Sequence, residues 1–132
     1  MIGFLKTKQE IINLLKNHKL DKVFLFGSYA HGEAHDESDV DLLVILDKEG
    51  VSNNYMEILQ NKRTISKQLR ELRKAIPIDL LVYTKDEWTI LRNSDSSFIK
   101  QIEKEGIQLI WKNAQMRGWN LLQEILMQQE NL

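Results

Sequence analysis

Apolar residues form short runs at 22–26, 39–46 and 78–83, separated by stretches in which they recur every three or four positions. Short runs bounded by turn residues read as strands, and the wider spacing reads as helices with one buried face. Thr7-Lys8-Gln9-Glu10 reads as a capping box that opens a first helix, striped by Ile11, Ile12, Leu14 and Leu15 and fading over 17–20. The strand expected over 22–26 is apolar on both faces and therefore belongs inside a sheet. After a loop and short helix at 28–38, a second strand is expected over 39–46, stopped by the turn residues Asp47-Lys48-Glu49-Gly50. Tyr55, Ile58, Leu59, Ile65, Leu69, Leu72 and Ile76 predict one long helix over 54–75.

Pro77 then starts a third strand, where a missing N–H is tolerated. Thr84-Lys85-Asp86-Glu87 is a second capping box, for a helix containing Trp88, Ile90 and Leu91. Phe98, Ile99 and Ile102 continue in helical spacing until Gly106 stops them, and 107–111 looks like a last strand. Met116, Trp119, Leu122, Ile125 and Leu126 mark a tail helix over about 114–130, with a stripe that fits either its own domain or another chain. Strands and helices mixed in this way make an α+β protein, and 132 residues with 42% hydrophobic content suit one domain over 1–132.

Charge narrows the partners. A net charge of −1 supplies no long-range pull toward nucleic acid or anionic membrane, so neither is expected as a partner. Lys62, Arg63, Lys67, Arg70, Arg73 and Lys74 cluster on the long helix, and a solvated outer face is the favoured reading over a patch for RNA or protein. The absence of cysteine excludes disulfides and thiolate metal sites, which suits a reducing compartment. No apolar run reaches membrane-spanning length and the first ten residues lack a signal-peptide core, so a soluble cytoplasmic protein is expected. Trp88, Trp111 and Trp119 read as packing anchors rather than base-stacking platforms.

The chemistry lies in three acids placed where strands should be. A carboxylate in a strand bound for the core costs several kcal/mol unless a cation or hydrogen bonds compensate. Asp39 and Asp41 lie two apart on one strand, hence on one face with α-carbons roughly 6.5 to 7 Å apart. Asp79, one residue inside the third strand, would add a third carboxylate and make an oxygen site of the kind Mg²⁺ prefers. Upstream, Gly27 permits close backbone approach, and Ser28 offers a hydroxyl where a short helix begins, with free N–H groups suited to phosphate.

Gly27-Ser28, ten residues, Asp39-x-Asp41 and a later strand bearing Asp79 together resemble the DNA polymerase β-like nucleotidyltransferase superfamily over about residues 8–111. The short length is similar to the minimal nucleotidyltransferases, the antitoxin partners of HEPN-domain proteins. The resemblance implies the polymerase β-like fold, a small mixed β-sheet with helices packed on it. It implies that Asp39, Asp41 and Asp79 are catalytic and hold two Mg²⁺ ions, and that Gly27 and Ser28 position the nucleotide phosphates. His31 stands where the family often has Arg, and a phosphate contact or a solvated helix position are both open for it.

The activity implied is transfer of AMP from ATP to a hydroxyl of a HEPN-domain partner, with an oligomer possible. Two other readings stay open: a nucleotidyltransferase acting on a small molecule of the antibiotic type, and an antitoxin that neutralises its partner by contact alone.

Overall fold

The computed structural model describes residues 2–27, 30 and 39–111. Its elements run α1 (Ile2–Leu15), β1 (Leu20–Phe26), β2 (Val40–Leu46), α2 (Tyr55–Gln68), α3 (Arg70–Ala75), β3 (Ile78–Thr84), α4 (Lys85–Asn93), α5 (Ser97–Glu105) and β4 (Ile107–Trp111). The four strands form one mixed sheet in the order β3-β2-β1-β4. The neighbours of β1 on both sides run antiparallel to it, whereas β2 and β3 are parallel, joined by the α2–α3 crossover. An α+β fold with a small mixed sheet is thus what the chain adopts.

Strand alternation sorts the side chains into two cores. Val23, Leu25, Val40, Leu42 and Val44 face the layer made by Ile11, Ile12 and Leu15 of α1, Ile65 of α2, Leu72 of α3, and Leu69 between the last two. On the opposite face, Phe24, Leu43 and Ile45 meet Trp88 of α4 with Ile99 and Ile102 of α5. Phe24 and Trp88 have ring centroids 5.8 Å apart, which bears out Trp88 as a packing anchor. With helices on both faces, β1 and β2 are buried at their centres, as their unbroken apolar runs require.

The structure corrects two local expectations. The first helix begins at Ile2, so Thr7 lies inside it and is buried with Lys8 instead of capping it. A capping-box pattern is only a local preference, and the upstream residues continue the helix through it. Tyr55 and Ile58 are 70% and 48% exposed, although their spacing aligns them with the buried stripe. Periodicity gives a direction around the helix but not what lies opposite, and the buried stripe of α2 begins further along, at Ile65. The long helix is otherwise as expected: the Asn54 side chain caps it by accepting from Glu57 N at 3.0 Å, and Leu69 breaks it briefly before α3.

The box at Thr84 is realised in full. Thr84 N donates to Glu87 Oε1 at 2.8 Å, and Glu87 N donates to Thr84 Oγ1 at 3.1 Å. Gly106 ends α5 at an ordinary negative φ rather than in the left-handed region. Glycine is needed there for a different reason: a Cβ would collide with the carbonyl oxygen of Ile102. The tail residues that carry Trp119 and the predicted stripe lie outside the described residues.

Candidate active site

The site lies where β1 ends and β2 and β3 begin, on the face covered by α4 and α5. Two registers build it. In the parallel pair, Asp41 is opposite Asp79; in the antiparallel pair, Phe26 is opposite Asp41. Residues opposite one another in a ladder point to the same face, so the two carboxylates must meet. They do: the Asp41 and Asp79 side chains share a hydrogen bond. Asp39, just before β2, lies within electrostatic reach of Asp41 and is exposed to solvent.

Gly27 closes the third side. Its φ of +73° is a left-handed conformation that L side chains rarely adopt, and a Cβ there would collide with the Asp41 carboxylate. Glycine therefore serves both the turn, in which Ala30 N donates to Gly27 O at 3.0 Å, and the close approach of the chain to the acid. The neighbour that needs glycine here is the Asp41 side chain. Ser28 and His31 lie outside the described residues.

Among the described residues nothing offsets the negative charge of the site. Partial burial raises the Asp41 carboxyl above its ordinary range, and the charges of Asp79 and then Asp39, with the hydrogen bond to Asp79, raise it further. None of the described ion pairs involves Asp39, Asp41 or Asp79. Carboxylates held together without a Lys or Arg suit a hard divalent cation by donor type and charge. Among the described residues no group of three or more His, Cys, Asp or Glu side chains is placed to hold a metal ion together. The donor set that fits a cation is the Asp41–Asp79 pair, with Asp39 standing off beside it.

Sequence reasoning passed over one part of the site. A cleft of about 260 Å³ opens beside Asp41 and Gly27, lined by Phe26 and by Phe98, Gln101, Ile102, Glu105 and Gly106 from α5 and its end. Phe98 is 47% exposed and stands edge-on to Phe26, with centroids 5.7 Å apart. Helical spacing placed Phe98 on a helix with Ile99 and Ile102 and gave no sign of a site there. Only the packing of α5 across β1 brings it to the acids.

Comparison with known proteins agrees with this geometry. Residues 9–115 match the family described as "Polymerase beta, Nucleotidyltransferase". The chain is 36% identical over 104 residues to "Putative protein adenylyltransferase MJ0141" of Methanocaldococcus jannaschii, covering 77% of this chain and 90% of that protein. A second protein of the same organism and designation, MJ1379, is 35% identical over 66 residues, 42% of this chain and 66% of its own length. In fold, the chain resembles one from the crystal structure of a toxin–antitoxin with AMP-PNP, at TM-score 0.53 and 22% identity, covering 94% of this chain and 86% of the other. A pair of strand-borne carboxylates facing a left-handed glycine, on a chain matched over most of its length, leads to one assignment: the protein belongs to the polymerase β nucleotidyltransferase family and is a nucleotidyltransferase.

Proposed function

We propose that the protein transfers AMP from ATP to a hydroxyl group on a partner protein, a HEPN-domain toxin, and thereby silences it. The observation that carries this reading is the meeting of Asp41 and Asp79 across the β2–β3 ladder, against Gly27 and with no ion pair to a cationic side chain among the described residues. A similar protein, MJ0141, is named for protein adenylylation, which supports the choice of nucleotide and of a protein acceptor.

Asp41 and Asp79, with Asp39 drawn in from beside them, would hold magnesium, which when bound neutralises phosphate charge and stabilises entering and leaving oxygens of an in-line displacement. Asp41, between the turn and Asp79, faces the reacting α-phosphate. Asp79 orients the acceptor hydroxyl and takes its proton at a carboxylate oxygen. Gly27, with Ser28 and His31 after it, positions the β and γ phosphates so that pyrophosphate leaves opposite the incoming oxygen. The new bond is acceptor oxygen to α-phosphorus; the bond broken joins that phosphorus to the pyrophosphate oxygen.

Intact mass spectrometry of a HEPN partner incubated with this protein, Mg²⁺ and each NTP tests the proposal. Mass steps of one AMP, seen with ATP and lost in Asp41→Ala, are expected. An unmodified partner that is nevertheless neutralised would leave contact alone as the mechanism. For Asp79→Ala, transfer should fall far more than ATP affinity, and equal losses in both would refute its place at the acceptor end.

A further inference from the structure

We propose that the basic side of α2–α3 is the docking surface for the acceptor protein, which meets it with an acidic segment. The inference rests on the nucleotidyl-transfer reading above and adds to it how the acceptor is held. Arg63, Lys67, Arg70 and Arg73, with Ser66, line an open cleft of about 540 Å³. All four cations are exposed, and no acidic side chain lines the cleft. None of the described ion pairs involves them, whereas Lys74 of the same cluster is paired with Glu71 at 3.1 Å. Arg73 donates to Ser66 Oγ across the break at Leu69, which fixes one guanidinium at the cleft.

The cleft lies on the acceptor's side of the molecule. β3 is an edge strand, and among the described residues no strand lies beyond it. Asp79 is exposed near its start, with Asp41 and then Gly27 on the inner side. An acceptor hydroxyl therefore reaches Asp79 over the β3 flank and leaves the phosphate side at Gly27 clear. The α2–α3 crossover runs from the end of β2 to the start of β3, so its last turns stand nearest Asp79. Its Glu71 and Ala75 face α1, where they share a hollow with Glu10 and Leu14. Arg73 is two residues from each, about 200° around the axis, so the cleft faces away from α1. Because α1 packs toward β4 and α2 against β3, the side away from α1 is the outer flank of β3.

The pattern of charge favours a protein over nucleic acid. From Arg63 to Arg73 a cation recurs about once per helical turn over roughly 15 Å, the spacing at which carboxylates recur along one side of a helix. No aromatic side chain lines the cleft, so it offers unstacked bases no platform. The whole chain's net charge of −1 supplies no long-range attraction to a phosphate backbone. Upstream of the cations, at the start of α2, Tyr55, Met56 and Ile58 are exposed. An apolar end followed by a cationic stretch fits an amphipathic acidic segment better than a uniform polyanion.

Steady-state AMP transfer to the HEPN partner, with Mg²⁺ and ATP, tests the surface in the double variant Arg63→Glu with Arg70→Glu. KM for the partner should rise about tenfold or more, while kcat and the affinity for a non-transferable ATP analogue stay as in the wild type. Lysine at both positions should restore most of the wild-type KM. The same charge change at the exposed Lys6 and Lys19, made as Lys6→Glu with Lys19→Glu, should leave KM unaltered. An unchanged partner KM in the double variant, or an equal rise in the control, would overturn the docking surface and leave transfer intact. So would a parallel loss of analogue affinity, which would give the cleft to the nucleotide. A labelled single-stranded RNA bound by the wild type and not by the double variant, with KM unchanged, would assign the cleft to nucleic acid instead. A wild-type protein that transfers nothing to the partner would sink the transfer reading itself, and the docking surface with it.

Discussion

Asp41 has the least comfortable position of any described acid, because it is half-buried, hydrogen-bonded to a second carboxylate and close to a third. Its carboxyl is held above the ordinary 3.8, so the folded chain binds a proton more readily than the unfolded one. Metal-free stability must then fall as pH rises from that ordinary value through the raised one, and stay lower beyond it. Asp41→Asn removes the penalty. In chelator at neutral pH its melting temperature should exceed that of the wild type, and its pH profile should be flatter, while nucleotidyl transfer is lost; a lower melting temperature would refute the account. Gly27→Ala should do the reverse. The left-handed φ alone costs about 1–2 kcal/mol, and the methyl group displaces the Asp41 carboxylate, so both thermal stability and nucleotide affinity should drop. The acids and the glycine were legible in the sequence because acids inside apolar runs, and Gly-Ser at the end of one, contradict strand propensity.

Among the elements, the start of α4 carries most of the local wiring. Thr84 caps it and also donates to Gly50 O at 2.6 Å, while Ser52 N donates to Glu87 Oε2 at 3.2 Å, so one capping box also ties down the loop after β2. Thr84→Ala should cost about 1 kcal/mol in chemical denaturation. Burial tends to raise the Glu87 carboxyl, but hydrogen bonds from Thr84 and Ser52 outweigh it and hold the group below 4.5. A depressed acid contributes stability above its unfolded pKa and loses it as pH falls through the folded value. Acid unfolding below about pH 4.5 should therefore be less steep in Glu87→Gln than in the wild type. This box was readable from four consecutive residues because its bonds span only three positions. The identical logic failed at Thr7, where the preceding residues are themselves helical.

Taken whole, the molecule is a sheet sealed on both faces, and its stability resides mainly in the two cores. Leu42, fully buried at the middle of β2 and facing α1 and α2, should cost about 2–5 kcal/mol when replaced by Ala. Neutralising Arg63, Lys67 or Arg70 singly on the exposed side of α2–α3 should stay within about 0.5 kcal/mol, as expected for a solvated face. Urea titrations of these variants would separate core from surface; a large loss from the basic face would show that it packs against something.

The sequence by itself determined which of the described segments are strands and which are helices, where α4 is capped, and that three acids and a Gly-Ser pair at strand ends needed a common purpose. Those features are local, since strand alternation, helical spacing and capping bonds are set by residues within a few positions of one another. Only the tertiary structure decided that Asp41 lies opposite Asp79, that Gly27 leaves room for the Asp41 carboxylate, and that Phe98 stands beside them. Register between strands 38 residues apart, and the packing of α5 across β1, follow from burying two apolar faces at once, and no local pattern encodes which side chains that brings together.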